Sequence, residues 1–201
     1  MGNDIAIYGA KLYVVVNVSN KVEVLNAKSG KRIGQIDVNN CRYITFSNGK
    51  AYVSSYLGKV GDASAPNGIV AEIDTNSLTI SRTVEVGRQP EEMAIANGKL
   101  YVANSGGYSP PNYENTLSVI DLNSFKEINR ITIAINLHRV KADKYGDLYI
   151  TSRGDYYTIP SKLFVLDTQT DQIKKTFNLS GPNIKVIIED ELKCPHIFLY
   201  E

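Results

Sequence analysis

A small set of basic, aromatic and acidic side chains lies in short segments that precede apolar runs of this sequence. These side chains are Arg42, Tyr43, Arg88, Glu91, His138 and Arg139. Arginine binds anionic and aromatic groups, tyrosine offers a rigid amphipathic surface, and histidine could act as a general base. If the fold brings these segments together, they are expected to form a tyrosine-lined surface with an arginine rim.

Motifs that support catalysis are absent from the sequence. It has no G-x-S-x-G elbow, no H-E-x-x-H, no G-x-G-x-x-G and no phosphate-binding loop. His138 has no carboxylate placed in sequence to orient it, and Cys194 with His196 supplies fewer ligands than a zinc site needs. Glu91 and Glu92 are adjacent, so on a strand they would point to opposite faces. We therefore predict no catalytic residue, no metal site and no cofactor.

Three longer polar segments carry many of the 13 tyrosines. The segments run over residues 56–68, 104–116 and 153–162, and their tyrosines are Tyr56, Tyr108, Tyr113, Tyr156 and Tyr157. Pro110-Pro111 and Pro160 stiffen the same segments, which reduces the ordering penalty on binding. Insertions on one face of a repeat often mark the binding face, although such loops can also merely cover the sheet beneath them.

The apolar runs between these segments recur at a regular interval. Each contains a tyrosine between an apolar and a β-branched residue, at Tyr13, Tyr52, Tyr101 and Tyr149. A second marker follows each of them, at Leu25-Asn26, Ile73-Asp74, Ile120-Asp121 and Leu166-Asp167. The tyrosines are 39, 49 and 48 residues apart and the second markers 48, 47 and 46, which indicates an internal repeat.

Each repeat is predicted to form four short antiparallel strands. In the second repeat, period-2 alternation predicts strands at about 43–46, 51–54, 69–74 and 80–86. Asn48-Gly49 and Asn97-Gly98 are predicted to form type I′ hairpin turns, and Asp74 an Asx-turn. Units of this size are typical of β-propeller blades. We expect one all-β propeller domain over residues 1–201, with blades at about 3–38, 41–86, 89–135 and 138–179 and a partial fifth at 182–201.

The repeat resembles a known group of propellers. The stretch from Tyr101 to Ser105, followed by Asn115 to Asp121, is similar to the repeat of the YVTN-type, YncE-like β-propellers. The segment from Gln89 to Met93 and the Tyr-Pro loop after Tyr101 are similar to propeller domains of cell-surface lipoproteins from Bacteroidetes. This resemblance implies a propeller fold, and one class of these surface proteins captures cobalamin for import. A shared fold does not determine function, so the cobalamin ligand is an expectation from the resemblance alone.

We therefore predict a non-catalytic ligand-binding propeller at a bacterial cell surface or in the periplasm, with cobalamin as the ligand that the resemblance implies. One alternative is a scaffold that docks another surface protein, such as an outer-membrane transporter. A second alternative is an enzyme of the propeller lyase or quinoprotein kind. The sequence leaves all three open.

Charge and hydropathy limit the classes of partner and the cellular locations that we expect for this protein. The 22 basic and 21 acidic side chains give a net charge of +1, which argues against a nucleic-acid partner. No apolar stretch approaches the roughly twenty residues of a membrane span. The first residues lack a signal peptide pattern, so we expect a mature or truncated piece of an exported protein, or a cytosolic one.

The number of repeats indicates part of a ring, since propellers have about 4–8 blades. Open first and last blades would expose apolar sheet faces. Three alternatives follow: a small four-bladed ring completed by the tail, a homodimer that covers the open blade edges, or a fragment of a longer product.

Overall fold

The structure, a computed structural model, describes residues 2–107 and 109–179 and the backbone of two further strands, Lys185–Ile188 and Ile197–Tyr200. Within these residues the chain is all-β, apart from a short 3₁₀ turn at Asn17–Ser19. Four antiparallel sheets of four strands follow one another along the sequence. Within each sheet, strands that are consecutive in the chain lie side by side. We refer to the sheets as blades 1 to 4.

The strands are named in chain order. Blade 1 has β1 (Asp4–Tyr8), β2 (Lys11–Val16), β3 (Lys21–Asn26) and β4 (Arg32–Asp37). Blade 2 has β5 (Cys41–Ser47), β6 (Lys50–Ser55), β7 (Ile69–Asp74) and β8 (Thr79–Glu85). Blade 3 has β9 (Pro90–Ala96), β10 (Lys99–Asn104), β11 (Thr116–Asp121) and β12 (Lys126–Thr132). Blade 4 has β13 (Leu137–Ala142), β14 (Asp147–Ser152), β15 (Lys162–Asp167) and β16 (Gln172–Asn178). The final strands, β17 (Lys185–Ile188) and β18 (Ile197–Tyr200), pair with each other.

The turns form as their sequences predict. Asn48 and Gly49 have φ values of 48° and 75°, and Asn97 and Gly98 have 49° and 74°, so both residues of each hairpin turn are left-handed. Asp74 accepts hydrogen bonds from the amides of Asn76 and Ser77, which hold the pKa of its carboxyl below the usual range. Strand ends extend beyond the predicted apolar cores, because polar residues at the ends still pair in the ladder.

The blades pack face to face in sequence order. The first strands adjoin one another in the series β1, β5, β9, β13 and β17, and the buried core lies between successive blades. The repeated tyrosines Tyr13, Tyr52 and Tyr101 are buried in these interfaces, and Tyr149 is buried in a cluster with Leu163 and Val165 of its own blade. Across the described strands, no packing of similar extent joins β1 to β13 or β17.

Side chains on the second strand of blade 3 donate hydrogen bonds to blade 4. Lys99 Nζ and Tyr101 Oη, on β10, both donate to the carbonyl of Thr168, at 3.1 and 3.2 Å. The Thr168 hydroxyl donates to the Gly146 carbonyl and accepts from Asn97 Nδ2, each at 2.7 Å. The turn that ends β15 therefore links blade 3 to the hairpin turn of blade 4.

Among the described residues, no helix has the length and apolar character needed to cross a membrane.

Candidate functional site

Irregular first strands position the polar side chains that the sequence singles out. In blade 2, Cys41 pairs with Ser55 and Ile44 with Val53, so two residues of β5 face the single residue Ser54. The register shifts in the same way in blades 3 and 4, where residues 91–92 and 138–139 are the extra pairs. This arrangement is a β-bulge, a device that re-aims side chains and often lies beside functional sites. The β1–β2 pairing of blade 1 shows no shift.

Two of these bulges are supported by hydroxyl groups on the second strand. Tyr43 N donates to Ser54 Oγ, and Arg139 N donates to Thr151 Oγ1, both at 3.1 Å. The bulge amides are thus satisfied although the backbone ladder is interrupted. The two candidate pairs Arg42-Tyr43 and His138-Arg139 consequently lie at equivalent positions of blades 2 and 4.

Glu91 is the centre of one half of the site. It is fully buried, and its Oε1 accepts hydrogen bonds from the hydroxyls of Tyr56 and Ser105. Arg42 approaches Glu91 Oε2 with Nη2 at 3.4 Å and lies over the Tyr56 ring, 4.8 Å from its centroid. Burial, and then the Glu91 carboxylate, raise the pKa of Tyr56 well above 10.0, so its hydroxyl stays protonated and donates.

His138 is the centre of the other half. Its Nε2 lies 3.0 Å from Tyr43 Oη and 2.7 Å from Arg153 Nη2. The guanidinium can only donate, so Nε2 is the acceptor and the imidazole is neutral. Burial, followed by the charges of Arg153, Arg139 and Arg42, lowers the pKa of His138 well below 6.5. Burial also raises the pKa of Tyr43 to about 12.

Arg139 covers the remaining face of this cluster. Its guanidinium carbon lies 5.0 Å from the centroid of the Tyr43 ring, and its Nη1 is 3.8 Å from Glu92 Oε1. Glu92 faces away from Glu91: it accepts from Val140 N at 3.0 Å and from Lys141 Nζ at 2.8 Å. The two adjacent glutamates thus support different neighbouring blades.

Arg88 holds two insertion loops together. Its Nη1 donates to the Ala63 carbonyl in the loop 56–68, and its Nη2 donates to the Asn112 carbonyl in the loop 105–115. Its backbone amide donates to Glu114 Oε2 at 2.6 Å. The guanidinium of Arg88 therefore binds loop carbonyls, whereas that of Arg42 contacts Glu91 and the Tyr56 ring.

The loop tyrosines lie at different depths. Tyr56 is buried, Tyr113 is half-buried, and Tyr156 and Tyr157 are exposed, with 89% of Tyr157 accessible. A shallow cleft of about 230 Å³ lies between the loops of blades 3 and 4. It is lined by Pro110, Pro111, Tyr113, Ile135, Asp155, Tyr157 and Ile159. Tyr108 lies outside the described residues.

The fold brings Arg42, Tyr43, Tyr56, Glu91, His138 and Arg139 into two contacting clusters. It places Tyr113 and Tyr157 in the separate cleft and Arg88 between loops. Cys194 and His196 lie outside the described residues, and within the described part no three metal-ligating side chains come together.

Sequence reasoning missed Arg153, Ser105 and the turn that supports them. Tyr56, Ser105 and Arg153 each follow directly after the second strand of their blade. Their amides donate to the carbonyls of residues in the left-handed region that precede the first strand, namely Asn40, Gln89 and Asn136. Alignment of the repeats by strand ends would have revealed this position, because the insertions differ in length only beyond it.

No protein-family model matches the chain, and no curated protein sequence matches it. Solved structures do resemble it. Hydrazine synthase from Kuenenia stuttgartiensis is 15% identical with a TM-score of 0.78, over 93% of this chain and 52% of that chain. The dihydro-heme d1 dehydrogenase NirN is 11% identical with a TM-score of 0.65, over 90% of this chain and 38% of that one.

The WD40 domain of Neurospora crassa Pan2 is also similar, with 13% identity and a TM-score of 0.62 over 90% of this chain and 53% of that chain. These neighbours are β-propeller proteins, and the present chain has the fold of a β-propeller with four blades described in full. At such identities the similarity shows the fold alone. The chain spans about half the length of the hydrazine synthase and Pan2 chains, and less of NirN.

Proposed function

We propose that this chain is a non-catalytic ligand-binding β-propeller, which captures its ligand on the face formed by the bulged first strands and the insertion loops. One observation carries the proposal: side chains from three blades form a buried polar network, and the insertion loops of two of these blades carry exposed aromatic side chains that line a cleft. Buried charges cost stability unless they are fully paired, so such networks cluster at functional sites.

The residues divide into supporting and contacting groups. Tyr43, Tyr56 and Glu91 are buried, and their polar atoms are engaged in hydrogen bonds within the cluster. These three residues therefore suit a supporting role. Tyr113 and Tyr157 line an open cleft and are placed to contact a ligand. Exposed tyrosines supply rigid amphipathic contact area at low entropic cost.

We propose cobalamin as the first ligand to test and the bacterial cell surface as the location. Both rest on the resemblance to surface propellers, and a broad tyrosine-rich face with a shallow cleft suits a large, partly apolar molecule. The lone pair of His138 Nε2 is already engaged by Arg153 Nη2, with Tyr43 Oη beside it, so contact would run through loops and aromatic edges rather than through cobalt ligation by this nitrogen.

Calorimetric titration with cyanocobalamin tests this function. Tyr113→Ala and Tyr157→Ala are expected to weaken binding by about 1–3 kcal/mol each, as truncated aromatic anchors usually do. Tyr145→Ala is the matched control, because Tyr145 is an exposed tyrosine in the hairpin turn before β14, away from the insertion loops. Absence of both heat and a spectral change with the wild-type chain would remove cobalamin as the ligand.

A protein-docking role is the second candidate. Two structural neighbours are the WD40 domain of Pan2 and a chain of the mitotic checkpoint complex, and Tyr157 is almost fully accessible. In this reading the same face binds a surface protein such as a transporter. A pull-down from membrane extract tests this role by comparing the wild type with the Tyr113→Ala, Tyr157→Ala double variant. If the double variant still captures the partner, docking uses a different surface.

A further inference from the structure

Two arginines of the bulged strands are stacked on tyrosine rings. Arg42 lies over Tyr56 and Arg139 over Tyr43, at 4.8 and 5.0 Å from the ring centroids. A guanidinium that stacks face-on keeps its in-plane N–H groups free to point outward. Stacking therefore fixes the orientation of each donor edge before any ligand arrives.

Much of the hydrogen-bonding capacity of these two guanidiniums is unused. Arg42 Nε is buried and has no partner within the described residues, and the Arg42 contact to Glu91 is long, at 3.4 Å. Arg139 reaches Glu92 only at 3.8 Å, beyond hydrogen-bond distance, and no other bond from its side chain occurs among the described residues. A buried, unsatisfied donor is costly, which indicates that an acceptor belongs there.

The nearby acids are already engaged. Glu91 Oε1 accepts from Tyr56 and Ser105, and Glu92 accepts from Lys141 and the Val140 amide. The contacts of Arg42 and Arg139 with these acids, at 3.4 and 3.8 Å, therefore leave donors of both guanidiniums for another acceptor.

We propose that Arg42 and Arg139 form an anion-binding site, which recognises a carboxylate or phosphate group of the ligand. Guanidinium edges match both groups because they offer paired, coplanar N–H donors. The site rests on the proposed ligand-binding function and gives it a chemical class: the ligand carries an acidic group. Glu91 and Tyr43 act as positioning residues that hold the two guanidiniums.

The test is a chemical-shift titration of the ¹⁵N-labelled chain, read at the arginine Nε–Hε resonances. Phenyl phosphate, benzoate and the uncharged benzyl alcohol serve as probes. We expect saturable shifts at Arg42 and Arg139 with the two anions and none with benzyl alcohol, and the tighter anion identifies the preferred group. Arg139→Gln is expected to weaken anion binding by at least about tenfold, with Arg139→Lys intermediate, since it keeps the charge but loses the planar fork.

Arg130→Gln is the matched control, because Arg130 forms an ion pair with Glu127 on the outer strand of blade 3. The Arg130→Gln variant should bind both anions with the same affinity as the wild type. If Arg42→Gln fails to fold, as its thermal transition will show, Arg139→Gln still decides the result. Equal anion binding in Arg139→Gln and wild type, or no saturable shift in the wild type, overturns the inference. If cyanocobalamin nevertheless binds and requires Tyr113, the proposed function stands without it.

Discussion

His138 is surrounded by hydrogen-bond donors and by arginines, so protonation of its imidazole opposes folding. Tyr43 Oη and Arg153 Nη2 both lie against Nε2, and the pKa of the folded side chain is well below 6.5. In the unfolded chain the pKa returns to about 6.5. Between these two values the unfolded state binds a proton that the folded state does not, and stability therefore falls as the pH falls.

We predict that the free energy of unfolding decreases below about pH 6.5 by up to about 1.4 kcal/mol per pH unit. His138→Gln removes the titrating group and should flatten the dependence between about pH 7 and pH 5.5. Urea unfolding across this range measures the slope. His196→Gln, at the second of the 2 histidines, is the control. A slope that persists in His138→Gln would contradict the prediction.

At the residue scale, the sequence singled out several polar side chains that the fold brings together, but it did not indicate their hydrogen-bond partners. Arg42, Tyr43, Glu91, His138 and Arg139 stand out because they interrupt apolar alternation just where first strands begin. Arg153 does not stand out, since it is an isolated cation in a polar segment. Hydrogen-bond geometry depends on packing between blades, which residue types alone do not determine.

At the element scale, the bulges of the first strands and the hydrogen bonds of Arg88 to two insertion loops position the side chains of the candidate site. Repeats, turns and the four-stranded pattern could be predicted, because alternation and Asn-Gly pairs encode them locally. The bulges could not, since a bulge changes the pairing partner without changing the alternation of apolar residues around it. The role of Arg88 was likewise hidden, as it depends on two loops that meet only after blades 2 and 3 pack.

Arg88→Ala is expected to loosen both loops. It removes two hydrogen bonds from a charged donor, to Ala63 O and Asn112 O, each worth about 1.5–3 kcal/mol at most. Limited proteolysis measures the effect: cleavage by trypsin after Lys59 and by chymotrypsin after Tyr113 should become several-fold faster. Arg130→Ala should leave both rates unchanged. Unaltered cleavage in Arg88→Ala would show that the loops are held by other contacts.

Thr168→Val tests the link between blades 3 and 4. Thr168 is fully buried, and the substitution removes the acceptor of Asn97 Nδ2 and leaves the Gly146 carbonyl with the backbone amide of residue 168 as its donor. We expect a loss of about 1–3 kcal/mol in the free energy of unfolding, measured in urea. Thr170→Val, at an exposed position of the same turn, should change stability by less than about 0.5 kcal/mol. Equal effects of the two substitutions would exclude a specific role for the hydroxyl.

At the scale of the whole molecule, blade 1 has an uncovered apolar face. Ile5 and Ile7 on β1 are 64% and 66% exposed, whereas Ile44, at the position of blade 2 equivalent to Ile5, is buried against blade 1. In the other interfaces this face packs on the tyrosine-bearing side of the preceding blade. The fold class could be predicted from the repeat, but the fate of this face could not, because it depends on what lies beside blade 1.

We predict that the chain self-associates through the outer face of blade 1. Sedimentation should show concentration-dependent dimers that the double substitution Ile5→Asp, Ile7→Asp abolishes. The same double variant should unfold within about 1 kcal/mol of the wild type, since both side chains are exposed. Ile44→Asp, which buries a charge, should destabilise by more than about 3 kcal/mol. A monodisperse wild-type monomer would contradict self-association.

The serial packing of the blades also determines how disturbances spread through the molecule. The extensive packing between described sheets joins neighbours in sequence, so the coupling between two blades should weaken with the number of blades between them. The contacts of Tyr43 with His138 and Arg139 also couple blade 2 directly to blade 4. Hydrogen exchange would then follow a gradient, with the amides of blades 2 and 3 opening last and those of blade 1 opening early. Fluctuations of the first sheet would reach the side chains of the proposed site through the hydrogen bonds that join Asn3 and Asp4 to the bulged strand of blade 2.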